Sequence, residues 1–136
     1  LLQPDSRFFI PHSAVRPRTP FAEQELSRLN EILPPQDAME EACYYYTPVP
    51  DKARWTTAVL ENAREGIRLQ LSFDTSTLDH FVQWKNFVKG EYIMGLEPAN
   101  ASIDGREDAI SRCELPCLDG GESRVYRLRF ELDDGN

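Results

Sequence analysis

Glu97 stands two residues after Gly95 in the run Tyr92-Ile93-Met94-Gly95-Leu96-Glu97-Pro98-Ala99-Asn100. In an extended chain successive side chains alternate between faces, so Ile93, Gly95 and Glu97 share one face while Tyr92, Met94 and Leu96 share the other. A carboxylate beside a residue with no side chain leaves room for a ligand to approach the sheet. The preceding segment reads Phe81-Val82-Gln83-Trp84-Lys85-Asn86-Phe87, with Gln83 and Lys85 on one face and Trp84 on the opposite one. An aromatic ring with lysine, glutamine, asparagine and glutamate nearby is what sugar recognition requires. Sugar C–H faces stack on rings, and hydroxyls need forked donors and acceptors. Each residue also has a plainer reading. A strand-end glutamate is usually solvated, a tryptophan usually belongs to the core, and a lysine is usually an exposed charge. The spacing alone leaves both readings open.

Other chemistries are poorly represented. The chain carries no glycine-rich phosphate loop, no Cys-x-x-Cys and no His-x-x-x-His. His12 and His80 have no partner at ligand spacing and read as hydrogen-bonded or partly exposed imidazoles. Cys43, Cys113 and Cys117 are an odd set, best read as free thiols in a reducing cytoplasm. Cys113 and Cys117 flank a turn at Pro116. Asn100-Ala101-Ser102 matches a glycosylation sequon, but residues 1–5 lack the basic and apolar regions of a secretory leader, so the match is read as chance.

The elements that must position these groups are mostly strands. Ile67, Leu69, Leu71 and Phe73 alternate with Arg68, Gln70, Ser72 and Asp74, and Tyr126, Leu128, Phe130 and Leu132 alternate with Arg127, Arg129 and Glu131. A tight turn at residues 118–122 feeds the latter. Residues 55–61 form a strand that turns at 62–66 into a hairpin with 67–73. Further strands are expected at 7–10, 42–47, 81–87 and 92–97, with Pro98 ending the last. One stretch has helical spacing: Leu26, Leu29, Ile32 and Leu33, with Thr19 as N-cap, Pro20 at the first position and Pro34-Pro35 as the stop. About seven short strands and one helix make an all-β antiparallel sandwich.

Fifteen Lys and Arg against 23 Asp and Glu give a net charge of −8. That balance argues against nucleic acid, whose phosphates call for a basic face, and against anionic lipid. No apolar run approaches the roughly 18 residues of a membrane span. The 136 residues suit one domain or a piece of a larger one, and the chain has no initiator Met.

The ordered set of Gln83-Trp84-Lys85, then Gly95-Leu96-Glu97-Pro98-Ala99-Asn100, then Asp104-Gly105-Arg106, then Leu115-Pro116-Cys117-Leu118-Asp119-Gly120-Gly121-Glu122-Ser123 resembles the C-terminal end of the aldose 1-epimerase (galactose mutarotase) superfamily, in an uncharacterised bacterial branch. The likeness covers most of residues 66–132 and is weaker before that. It implies that residues 1–136 are a single domain or fragment, the C-terminal part of a galactose-mutarotase-like β-supersandwich roughly twice as long. It implies anomer interconversion by ring opening, with Glu97 as the general base on the anomeric hydroxyl. The acid histidine of that family is expected upstream of Leu1, and neither His12 nor His80 stands at its place. Trp84, Lys85 and Asn100 are the expected substrate contacts, followed by Gln83 and Arg106. No metal or nucleotide cofactor is implied. The expected partner is a small sugar, with self-association of exposed strand edges also open. The alternatives are a non-catalytic carbohydrate-binding module, which keeps the contacts without the acid, and a purely structural sandwich.

Overall fold

The computed structural model describes residues 2–134. Leu1, Gly135 and Asn136 lie outside the described residues. Eight strands form two four-stranded antiparallel sheets. The strands are β1 (Arg7–Phe9), β2 (His12–Pro17), β3 (Ala42–Pro48), β4 (Trp55–Asn62), β5 (Ile67–Asp74), β6 (His80–Asn86), β7 (Ile93–Ala99) and β8 (Leu128–Asp133). One sheet runs β1-β4-β5-β8 and the other β2-β3-β6-β7. Two short helices are α1 (Pro20–Gln24) and α2 (Arg106–Ser111).

The sheets are held face to face by aromatic side chains that alternate inward. Phe81 of β6 lies between Phe8 of β1 and Phe73 of β5, with ring centres 6.0 and 5.7 Å away and planes within 14° of parallel. Tyr46 meets both Phe8 and Phe81 edge-on. Burying each ring contributes about 2–3 kcal/mol by its apolar area alone. Ile10, Leu60, Leu71 and Ile32 complete this core. The period-two readings at 55–61 and 67–73 correspond to β4 and β5, joined by a turn that Gly66 closes at φ +67°.

Several expectations change. The helix ends at Gln24, with Thr19 capping it by accepting from the Ala22 amide at 3.2 Å. A 3-10 turn at Leu26–Arg28 follows. The run cannot continue to Leu33 because its carbonyls are used elsewhere. The Lys85 ammonium donates to Leu29 O at 2.6 Å and Glu31 O at 3.2 Å, and the Phe8 amide donates to Asn30 O at 3.2 Å. β2 was not anticipated, since an edge strand with a register shift between His12 and Ala14 shows no clean alternation. Nor was the one-turn helix α2. Pro98 does not stop its ladder: β7 continues to Ala99, with Pro98 opposite Phe81. β7 is an edge strand, so the missing N–H of proline removes no ladder bond on the free side. The last strand starts at Leu128, and its apolar face is uncovered. Leu128, Phe130 and Leu132 pair with Phe73, Leu71 and Leu69 across the sheet, yet Phe130 and Leu132 are each 67% exposed.

Lys85 is a charge held inside the fold. Burial pushes its ammonium down to about 8, partly offset by Glu25 and Glu31. The folded chain therefore releases this proton more readily than the unfolded one. From this group, stability rises as pH climbs from about 8 toward 10, opposed by Cys43 and the buried tyrosines, whose folded values are raised above ordinary ones of 9 and 10. In urea unfolding from pH 7 to 10, wild type should therefore gain stability relative to Lys85→Met as pH rises. Equal pH slopes in the two proteins would refute the assignment.

Candidate functional site

The register of the second sheet sets the outer face residue by residue. With Phe81 in the core, His80, Val82 and Trp84 must point outward, and Gln83 and Lys85 inward. Across β2-β3-β6-β7 one outer row reads Arg16, Tyr45, Val82, Glu97. The next reads Cys43, Trp84, Gly95, with the Arg18 backbone N–H donating to the Cys43 carbonyl at 2.9 Å. Cys43, Tyr45 and Val82 form a second small apolar cluster there, with Trp84 packed against it. This explains why β3 is buried on both sides, with Tyr44 and Tyr46 turned to the core.

Glu97 is exposed on this face and its carboxylate folds back over Gly95. A Cβ built on Gly95 would collide with Glu97 Oε1. The carboxylate therefore occupies the space above Gly95, whose cross-strand neighbour is Trp84. The expected grouping of Glu97, Gly95 and Trp84 is thus one face of the sheet. Because β7 is the sheet edge, the Glu97 carboxylate is open to solvent on that side.

Gln83 and Lys85 are placed differently from what substrate contact needs. Gln83 is fully buried: its Oε1 accepts from Tyr46 Oη at 3.0 Å and its Nε2 lies 3.4 Å from Met94 Sδ. Lys85 is spent on the carbonyls after α1. Both are on the opposite side of the sheet from Glu97, so alternation forbids them from touching a ligand that Glu97 touches. Asn100 follows β7 directly and donates to Tyr126 Oη at 2.6 Å. Arg106 is exposed at the start of α2 and lines a separate hollow of about 640 Å³ with Ile103, Leu115 and Cys117.

A cluster not singled out by sequence closes the β2 side. The chain after β7 crosses back over the sheet end, where Asp104 accepts from the Tyr45 hydroxyl. Asp104 Oδ2 also accepts from Arg16 at 2.9 Å and Ser102 at 3.0 Å, with Arg112 3.4 Å away and Arg18 at 3.7 Å from the other oxygen. The Arg16 guanidinium lies 4.0 Å from the Tyr45 ring centre. Burial opposes the charge on Asp104, but bonds from Tyr45, Arg16 and Ser102 prevail and hold its carboxyl down to about 2. Burial and that same bond push the Tyr45 hydroxyl up to about 12. Burial also raises the Cys43 thiol, against the pull of Arg18 and with the fields of Glu97, Asp104 and Glu41 adding to it. These contacts join residues far apart in sequence; the Arg16–Asp104 pair spans 88 positions. The available signal was the spacing of Arg16 and Arg18, two apart like Cys43 and Tyr45.

His12 Nδ1 donates to Ile10 O at 2.7 Å and His80 Nδ1 is 2.8 Å from Asp79, so both imidazoles are hydrogen-bonded as expected. The three cysteines are free, Cys43 buried and the other two exposed. Among the described residues, no helix is long and apolar enough to cross a membrane.

With this geometry in place, comparison with known proteins identifies the group. The chain belongs to the family described as Domain of unknown function (DUF4432), whose profile matches residues 1–132. It is similar to the crystal structure of a "putative aldose 1-epimerase" from Klebsiella pneumoniae subsp. pneumoniae, at TM-score 0.92 and 23% identity over 98% of this chain. That likeness shows a shared fold, the antiparallel sandwich expected from the alternating strands. The alignment covers 36% of the solved chain, so this chain spans about a third of that chain's length. No curated protein matches.

The folded carboxyl of Asp104 is held below its ordinary 3.8, so its stabilisation is present above about pH 4 and disappears as pH falls toward 2. Urea titrations should show Asp104→Asn less stable than wild type by a constant margin above pH 4, with the two curves converging by pH 2. A margin independent of pH would show that the ion cluster does not carry it.

Proposed function

We propose that this chain supplies the general base of an aldose 1-epimerase-like site, and that the base is Glu97. The observation that supports this most is local: an accessible carboxylate lies over a glycine, beside an indole, on the face of an edge strand. A pyranose ring can stack its C–H face on Trp84 while its anomeric hydroxyl reaches Glu97. Glu97 takes the proton from that hydroxyl as the bond from C1 to the ring oxygen breaks, and the ring oxygen gains a proton. Rotation about the C1–C2 bond and reclosure give the other anomer, with Glu97 returning its proton. The sequence resemblance assigns the ring-oxygen acid to a histidine upstream of this chain. The whole activity is therefore a property of the longer polypeptide, of which this chain would be the C-terminal portion. The bare apolar face of β8 supports that placement, because further chain would cover it. Trp84 and Asn100 remain the contacts of this reading. Gln83 and Lys85 take the structural roles described above.

In the native polypeptide that carries this chain, Glu97→Gln should slow mutarotation by about 10²-fold or more. Its melting temperature should barely move, because the side chain is exposed at a sheet edge. Polarimetry on freshly dissolved α-D-glucose or α-D-galactose measures the rate. An unchanged rate would remove Glu97 as base. Sugar binding in the wild type without anomer exchange would select the carbohydrate-binding module instead.

A further inference from the structure

We infer that β8 is a self-recognition strand, and that a second copy of this chain pairs its own β8 alongside it, antiparallel, about a twofold axis at Phe130. Glu97 lies on the other sheet, so the carbohydrate reading is not needed here. β8 ends the sheet β1-β4-β5-β8 and, among the described residues, has a strand on one side only. The Asp74 amide donates to Arg127 O at 3.1 Å, which turns the Arg127 carbonyl toward β5. Peptide groups alternate sides along a strand. Arg129 and Glu131 therefore address β5 as well, and the N–H and C=O groups of Leu128, Phe130 and Leu132 line the open edge. An open row of this kind is a template for another strand.

The order of side chains says which strand. Residues 127–133 read Arg-Leu-Arg-Phe-Glu-Leu-Asp. Turned end for end about Phe130, this run is its own complement. Arg129 falls opposite the second copy's Glu131, and Arg127 opposite its Asp133. Leu128 falls opposite Leu132, and Phe130 opposite Phe130. The faces agree too. Leu128, Phe130 and Leu132 lie on the side of the sheet that Phe73, Leu71 and Leu69 occupy, and Arg129 and Glu131 lie on the other. Within one chain Arg129 and Glu131 pair at 3.2 Å with 64% and 50% of their side chains open, so each has surface left for a neighbour. Phe130 and Leu132, both largely exposed, would gain apolar neighbours across the axis.

The same pattern excludes other registers. A slip of one residue sets charged side chains against apolar ones. A slip of two sets Arg129 against Arg129 or Glu131 against Glu131, and like charges directly opposite destabilise a sheet. With Phe130 on the axis, the open N–H and C=O groups of Leu128, Phe130 and Leu132 meet those of the second copy. The two four-stranded sheets then become one, through an isologous contact that closes on itself. The apolar face of β8 and its open edge are separate surfaces. The face takes cover from above, and the edge takes a strand alongside.

The test is sedimentation equilibrium on the native polypeptide, which should dimerise. Arg129→Glu and Glu131→Arg should each weaken the dimer by about ten-fold or more, because each sets like charges opposite on both sides of the axis. Mixing the two variants should restore a dimer with one copy of each, and the double variant should dimerise by itself. Rescue by mixing cannot come from a contact inside one chain. Hydrogen exchange on the wild type decides the matter even if a variant fails to fold. The amides of Leu128, Phe130 and Leu132 should gain protection as protein concentration rises, while those of Arg129 and Glu131 stay protected throughout. A monomeric wild type, a dimer indifferent to both reversals, or folded variants that do not rescue each other would overturn the inference. So would edge amides whose protection ignores concentration, the result expected if another strand of the same polypeptide lies beside β8.

Discussion

Phe81 decides which way this protein faces. Its ring is clamped between Phe8 and Phe73, and the side chains of β6 alternate from that point. Gln83 and Lys85 are thereby committed to the interior, and His80, Val82 and Trp84 to the outside. Antiparallel pairing passes the same choice to β7, where Glu97 comes out opposite Val82. A slip of one residue in this register would bury the carboxylate and expose the core. The candidate site is therefore a consequence of core packing on the other side of the same sheet.

That choice places two polar side chains in the interior, and each is matched there. Gln83 is bonded to Tyr46 and in contact with Met94, while Lys85 donates to the Leu29 and Glu31 carbonyls in the segment beyond α1. Unpaired, either would cost on the order of 1–3 kcal/mol or more. Paired, they tie β6 to β3, β7 and the segment after the helix. The Asp104 cluster performs the same service outside, strapping the chain that leaves β7 across to β2 and β3.

The division between what could and could not be read from sequence follows the range of the forces involved. β4 and β5 were legible because a half-buried central strand writes its alternation into residues 55–73. Glu97, Gly95 and Trp84 were legible as face-mates within their own strands by the same rule. The side each face would take was not, because it depends on Phe8 and Phe73, which are distant in the chain. Lys85 therefore looked like a ligand contact and proved to be an internal tie. β2, at an edge with a register shift, carries no alternation to read. Arg16, Tyr45 and Asp104 meet only after the sheet has formed, so beyond the two-residue spacing of Arg16 and Arg18 no local pattern marks them.

The central claim is that a sugar's anomeric oxygen meets Glu97 on the outer face of this sheet. A crystal structure of the native polypeptide with a bound aldose tests it most directly. The account predicts the anomeric hydroxyl within about 3 Å of a Glu97 carboxylate oxygen, in hydrogen-bond range, with the ring against Trp84. A sugar seated elsewhere, with Glu97 directed into solvent, would contradict it.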